Sequence, residues 1–239
     1  MIRSGLRNET RAQVDEADRT KGRWESWGVV ACLGGSAFAL ALAPLLMPES
    51  YSWLSHTTSE SAAQGVRGAW LARSGFLAFG LAVVWLRSLA GDRWGRWGKW
   101  MHRSFGVLLV ATAAFSHRPF EPGVVFDRTE DLLHSVTATA MGFGFAVGVV
   151  AVTLMRSRLM IPQRVLDLVA IAASILIPVG MATWTGYTGL LQRSMFLIAY
   201  IWYACEARRP DRVHSGGGES EPQGRLTARG SPLAHGPSL

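Results

Sequence analysis

The sequence predicts an all-α fold: a polytopic transmembrane bundle of six helices, with both termini cytoplasmic and polar, disordered tails. Three observations carry that prediction. Apolar stretches of about twenty residues recur along the chain, the length a helix needs to cross a hydrocarbon core of roughly 30 Å. The connections between them hold nearly all the basic residues. Those residues are also unevenly shared between alternate connections, with 19 of the 24 Lys and Arg on one side and five on the other. Loops rich in Lys and Arg stay on the cytoplasmic side, which places both tails there.

The elements follow in order. The first span, 28–47, comes after Trp24 and Trp27, an aromatic type that favours the headgroup level. It is too long for a signal-peptide core and lacks a cleavage site, so it reads as a retained helix. The second span covers 69–89, the third 100–116, the fourth 132–155, the fifth 165–184 and the sixth 190–205. The third and sixth are short in apolar terms and borrow a turn from polar flanks. Small residues suggest packing seams at Gly144 and Gly148 in the fourth span and at Gly34, Gly35 and Ser36 in the first. Pro178 predicts a kink in the fifth.

The tails explain why bulk composition understates the membrane character. Hydrophobic residues make up 49% of the chain and the mean hydropathy is only +0.18. A polar N-tail (1–23) and a C-tail (206–239) flank a single membrane domain at 24–205. The C-tail is rich in Gly, Ser, Pro and Arg, has no apolar periodicity, and is expected to be disordered. The sequence pI near 10.2 does not mark a nucleic-acid binder, because the basic residues follow the loops rather than forming one patch. Cys32 and Cys205 fall within or at the end of spans and read as small apolar fillers, not a disulfide framework.

Orientation gathers the remaining polar residues at the outer face. Arg73 lies about one turn inside span two, Asp131 and His134 open span four, Gln192 and Arg193 open span six, and His117 closes span three. The first outer loop adds His56, Ser59, Glu60 and Gln64. Ionisable groups at membrane depth face the bundle interior or a wet cavity. Arg73 and Arg193 are therefore expected to pair with carboxylates among Glu60, Asp127, Glu130 and Asp131. Asp131 and His134, three apart, share a helix face. Two readings stay open: an ion-pair network that pins the outer loops, or a polar cavity for a lipid headgroup or small solute. The candidate binding residues are Ser59, Glu60, Arg73, Asp131, His134 and Arg193.

No cofactor or metal is expected. His56, His117 and His134 come from three segments, without the tight spacing of a metal-binding motif. Gly-rich phosphate loops, Gly-x-Ser-x-Gly elbows and paired-cysteine motifs are missing from the sequence, which argues against an enzyme. On the cytoplasmic side, Arg93-Trp94-Gly95-Arg96-Trp97-Gly98-Lys99-Trp100 repeats a basic residue, Trp and Gly. That composition suits anchoring at a headgroup interface, where anionic lipids attract the charges.

The segment Tyr51-Ser52-Trp53-Leu54-Ser55-His56-Thr57-Thr58-Ser59-Glu60 leads through Gly65 and Gly68-Ala69-Trp70-Leu71 to Gly75-Phe76 and Gly80. It resembles the first outer loop and second helix of the bacterial family known as domain of unknown function 998. Phe126-Asp127-Arg128-Thr129-Glu130-Asp131-Leu132-Leu133-His134 is similar to that family's acidic loop and helix-start histidine. The resemblance covers about 28–205 and implies a six-helix integral membrane protein with no established activity. A more distant similarity runs to six-span proteins of the autophagy-modulator (DRAM) and Sfk type, associated with membrane lipid organisation. Ser59, Glu60, Asp131 and His134 are the positions that match the family's motifs.

The expectation for function is a multi-pass protein of the cytoplasmic membrane, in contact with membrane lipids, binding a lipid headgroup or small solute at its outer face. Two alternatives remain. One is an interfacial or metal-dependent hydrolase using Ser59 or a metal-activated water, with His134 as base and Asp131 as its orienter. The other is a purely structural or assembly protein.

Overall fold

A computed structural model describes residues 2–156 and 161–209, and every regular element among the described residues is helical. The α-helices are α1 (Ile2–Leu42), α2 (Thr58–Ser61), α3 (Ala69–Leu89), α4 (Gly95–Ala114), α5 (Arg128–Met155), α6 (Ile161–Thr183) and α7 (Thr188–Ala207). Six are long and α2 is a single turn. Four stretches are long and apolar enough to cross a membrane by length and composition: Thr20–Leu46, Ala69–Leu89, Arg128–Met155 and Ile161–Thr183. Helices α4 and α7 have 20 residues each, about 30 Å at 1.5 Å per residue. Their composition is diluted by Arg96, Lys99 and Arg103 in α4 and by Arg193 and Glu206 in α7.

The tails depart from expectation on one side. Helix α1 starts at Ile2 and runs unbroken for 41 residues, where a disordered N-tail is predicted. The N-tail segment holds five Arg, two Ala, two Glu and one Gln, all good helix formers. Extending a helix already nucleated by its apolar half also costs little. At the other end α7 continues through Ala207, so Glu206 is helical rather than the first residue of a tail. From residue 210 onward the predicted C-tail lies outside the described residues.

Helix α1 packs on α3, α3 on α4, α4 on α5, α5 on α6 and α6 on α7, while α7 also returns to α1. One end of the bundle, here the loop end, gathers the connections at 47–68, 115–127 and 184–187. Gln64 N–H donates to His117 O at 2.9 Å there, and Leu190 N–H to Leu54 O at 3.0 Å. The opposite, tail end gathers the α3–α4 connection, Arg156 after α5 and the end of α7.

The interior is aromatic. Phe79 stacks on Tyr200 with centroids 4.1 Å apart, and Phe105 and Phe145 lie 5.3 and 5.7 Å from Tyr203. The outward faces are apolar instead of polar: Phe38, Leu81, Phe143, Leu168, Leu176 and Leu197 are all exposed. Exposed apolar surface of that extent marks a face that meets something other than water.

Glycine permits close approach of backbones where α3 crosses α4. A Cβ on Gly80 of α3 would lie 2.6 Å from Gly106 O of α4, and one on Gly106 would lie 2.8 Å from Gly80 O. Of the two predicted seams, Gly144 and Gly148 do face α4, against Met101 O and the His102 ring. Gly34 and Gly35 do not; space beside them is open, and only Ser36 of that cluster turns inward. Its hydroxyl lies 2.6 Å from both Gly75 O and Tyr200 Oη. Pro178 lies inside α6 as expected. Cys32 donates its thiol to Ala78 O at 3.4 Å, whereas Cys205 is exposed and fills no gap.

Candidate functional site

The loop end is built from backbone groups that irregular chain leaves without ladder partners, and such groups need donors and acceptors from side chains. Thr57 caps α2 by accepting from Glu60 N–H at 3.1 Å, and Glu60 Oε2 accepts from Thr57 N–H at 2.5 Å, a reciprocal capping box. Ser59 is buried in that turn. Gln192 Oε1 accepts from the Thr58 and Ser59 N–H groups at 2.7 and 3.4 Å, tying α2 to α7. Arg193 donates from Nη1 to Trp53 O at 2.6 Å and His56 O at 2.9 Å, and from Nη2 to Tyr51 Oη at 2.6 Å. Arg73 Nε donates to Ala62 O at 3.1 Å.

The expected Arg–carboxylate pairs are therefore not formed: both arginines serve loop carbonyls. The carboxylates are already occupied by N–H and O–H donors. Asp127 Oδ1 caps α5 through Thr129 and Glu130 N–H at 2.7 and 3.1 Å. Glu130 Oε1 accepts from the Ser116 amide and hydroxyl at 2.9 and 2.7 Å, and Asp131 Oδ1 from Arg118 N–H at 2.8 Å. Gln64, outside the six candidate residues, joins the two halves. Its Nε2 donates to Ser116 O and Asp127 O at 3.2 and 3.0 Å, while Oε1 accepts from Asp127 N–H at 2.8 Å.

Asp131 and His134 do not form the base–orienter pair that the hydrolase alternative requires. Nδ1 of His134 is 2.9 Å from Phe115 O, and a carbonyl can only accept, so the ring proton sits on Nδ1. Asp131 instead approaches His117, with 3.9 Å between Oδ1 and Nδ1. His117 in turn sets its ring edge-on to His134 at 5.2 Å. In the neutral ring Nε2 of His134 is then an acceptor, and it is buried without a hydrogen bond. Thr137 and Thr112 lie alongside, their hydroxyls 3.1 Å apart. No group of three or more His, Cys, Asp or Glu among the described residues is arranged to hold a metal ion.

A second polar cluster sits at the tail end, and no candidate residue belongs to it. Arg156, just past α5, reaches Asp167 Oδ2 of α6 at 2.7 Å and Glu206 Oε1 of α7 at 2.6 Å. Both carboxylate side chains are only 1% exposed. Arg209 adds a second contact to Glu206 Oε1 at 2.9 Å. The remaining oxygens accept from indoles: Glu206 Oε2 from Trp94 Nε1 and Asp167 Oδ1 from Trp202 Nε1, each at 2.8 Å. Arg93 donates to Glu206 O and Arg209 O at 2.9 and 2.7 Å. Beside the cluster His102 places Nδ1 2.9 Å from Tyr203 Oη and stacks on Trp202 at 4.8 Å. One residue could have revealed this cluster from the sequence: Asp167 stands two positions inside the expected fifth span, where an ionisable group is costly enough to require a partner.

The Arg-Trp-Gly repeat divides at this point. Trp94 is fully buried against Glu206, while Trp97 and Trp100 face outward. Gly95, with φ of 61°, supplies the left-handed turn between them.

The family described as "Protein of unknown function (DUF998)" matches residues 21–209. The chain belongs to that family. No curated protein and no solved structure matches the chain. The part matching DUF998 takes in both polar clusters and ends at Arg209, the last residue of the tail-end one. The family is one of unknown function, and this member has four helices of membrane-spanning length and composition among its described residues.

Proposed function

We propose that this protein is a non-enzymatic, six-span protein of the cytoplasmic membrane that holds a lipid headgroup or small polar solute at its outer face. The tail end is cytoplasmic and the loop end is outside. Support for the spans comes from two levels of exposed aromatic residues. Trp24, Trp27, Trp97 and Trp100 mark the tail end, and Trp53, Trp70, Trp184 and Tyr187 the loop end, as interfacial belts do. The 19-to-five division of Lys and Arg supports the orientation.

The binding reading rests on His134. Ser59, Glu60, Arg73, Asp131 and Arg193 are committed to folding the outer loops, whereas Nε2 of His134 is a buried acceptor still without a donor. Its ligand carries a hydroxyl or ammonium group, as glycerol and ethanolamine headgroups do.

Two measurements test the reading. With Cys32 and Cys205 replaced by Ala, a membrane-impermeant maleimide on intact cells labels Glu121→Cys and spares Asp92→Cys; the reverse pattern removes the orientation. Native mass spectrometry of the purified protein shows a bound lipid or solute that His134→Phe loses. Adduct-free native protein, or an adduct retained by His134→Phe, removes the binding site.

A further inference from the structure

We infer that the outward face of α4 at the tail end is a binding site for one anionic phospholipid of the adjoining leaflet. The inference rests on the membrane reading but not on His134, which lies at the opposite end of the bundle. Arg96, Trp100, Arg103 and Val107 stand at helical spacings of four, three and four, so they share one face. All four are exposed, as is Trp97 beside them at 70%.

The face grades from charge to hydrocarbon along the helix. Arg96 leads, Trp100 follows with the Arg103 guanidinium 5.7 Å over its ring, and Val107 continues toward mid-helix. A phospholipid has the same order: phosphate, glycerol ester, acyl chain. Indole rings favour the ester level, and guanidinium groups bind phosphate oxygens in a bidentate fork.

Charge complementarity decides which headgroup. Lys99 is already neutralised by Asp92 at 2.8 Å. Neither Arg96 nor Arg103 is engaged by a carboxylate among the described residues. Two guanidinium groups on one face favour a net-negative headgroup over a zwitterionic one. They are separated by seven residues, about 10 Å of rise, within reach of each other's side chains around a single phosphate. Trp94 contrasts with this face: its indole is spent on Glu206 inside the bundle.

The test uses the full chain in nanodiscs of phosphatidylcholine doped with phosphatidylglycerol, followed by native mass spectrometry of the lipids retained. Failure to enter nanodiscs would count against the membrane reading itself, separately from this site. The native protein retains phosphatidylglycerol preferentially. Arg96→Gln with Arg103→Gln loses about 30-fold in that preference, at about tenfold per 1.4 kcal/mol and roughly 1 kcal/mol per basic residue. The pair Arg23→Gln with Arg208→Gln, away from α4, leaves it unchanged. Both arginines point outward, so an unaltered melting temperature certifies the fold of each variant. Equal retention of the two lipids by the native protein overturns the site, as does an undiminished preference in the α4 double variant.

Discussion

Arg156 and Glu206, 50 residues apart in the chain, meet at 2.6 Å at the tail end of the bundle. The contact closes α5 against α7, and the other arm of the same guanidinium holds Asp167 of α6. Both oxygens of each carboxylate and both terminal nitrogens of Arg156 find their partners within the cluster. A buried charge deprived of its partner is far more costly than the pair is stabilising.

Arg156→Leu is therefore expected to destabilise the protein by about 3–5 kcal/mol, since it strands the buried Asp167 carboxylate and takes from Glu206 one of its two arginines. The triple replacement Arg156→Leu, Asp167→Leu and Glu206→Leu removes the charges together and recovers most of that loss. Denaturant titration in detergent, following tryptophan fluorescence, reads both. A triple variant no better than the single one defeats the explanation.

Glycine substitutions separate the packed seam from the open one. Gly80→Val forces α3 from α4 and costs about 1–3 kcal/mol by overpacking. Gly34→Ala, in open space, changes stability by less than about 1 kcal/mol and in the stabilising direction. Thermal melts of the two variants beside the native protein give the comparison.

Arg193→Lys is expected to loosen the 47–68 connection almost as much as Arg193→Met. Three acceptors on Tyr51, Trp53 and His56 are reached by one guanidinium fork, which an ammonium group cannot reproduce. Limited proteolysis at 48–57 is faster in both variants. Full protection of the lysine variant shows that charge alone suffices.

Burial raises the Tyr51 phenol above its ordinary value of 10, with the Arg193 charge and hydrogen bond opposing. The folded protein then holds the phenolic proton more tightly than the unfolded chain. Its contribution is present in full below about pH 10 and is lost as pH climbs through the raised value. Alkaline unfolding of Tyr51→Phe, which cannot titrate, starts at higher pH than that of the native protein once their neutral-pH stabilities are matched. Coincident alkaline limbs refute this.

Helix positions were legible because they follow from one-dimensional chemistry. In hydrocarbon, a run of apolar residues about twenty long satisfies its backbone within its own segment only as a helix. Hence 69–89 coincides with α3, and the third to sixth expected spans overlap α4 to α7 with ends displaced by up to five residues, whereas the first overruns α1 into the 3-10 turn Ala43–Leu46 that carries Pro44. The Gly144–Gly148 seam was legible for the same reason, because spacing of four places both on one face. Polar partners were not. Charge sign alone matches Arg73 and Arg193 to carboxylates, yet apart from the Tyr51 phenol the acceptors they meet are main-chain carbonyls, which every residue carries and no composition reveals.

The chain's apolar periodicity and its uneven distribution of Lys and Arg were enough to establish helical segments, their approximate limits and a membrane character. Which polar groups are spent on folding was settled by contacts between segments far apart in sequence. Arg156 meeting Glu206, Gln64 bridging two loops, and Trp94 turning inward while Trp97 turns out all depend on how the helices converge. Pairing in a low-dielectric interior is set by three-dimensional reach and by competition with backbone donors and acceptors. Neither quantity is a function of residue order alone.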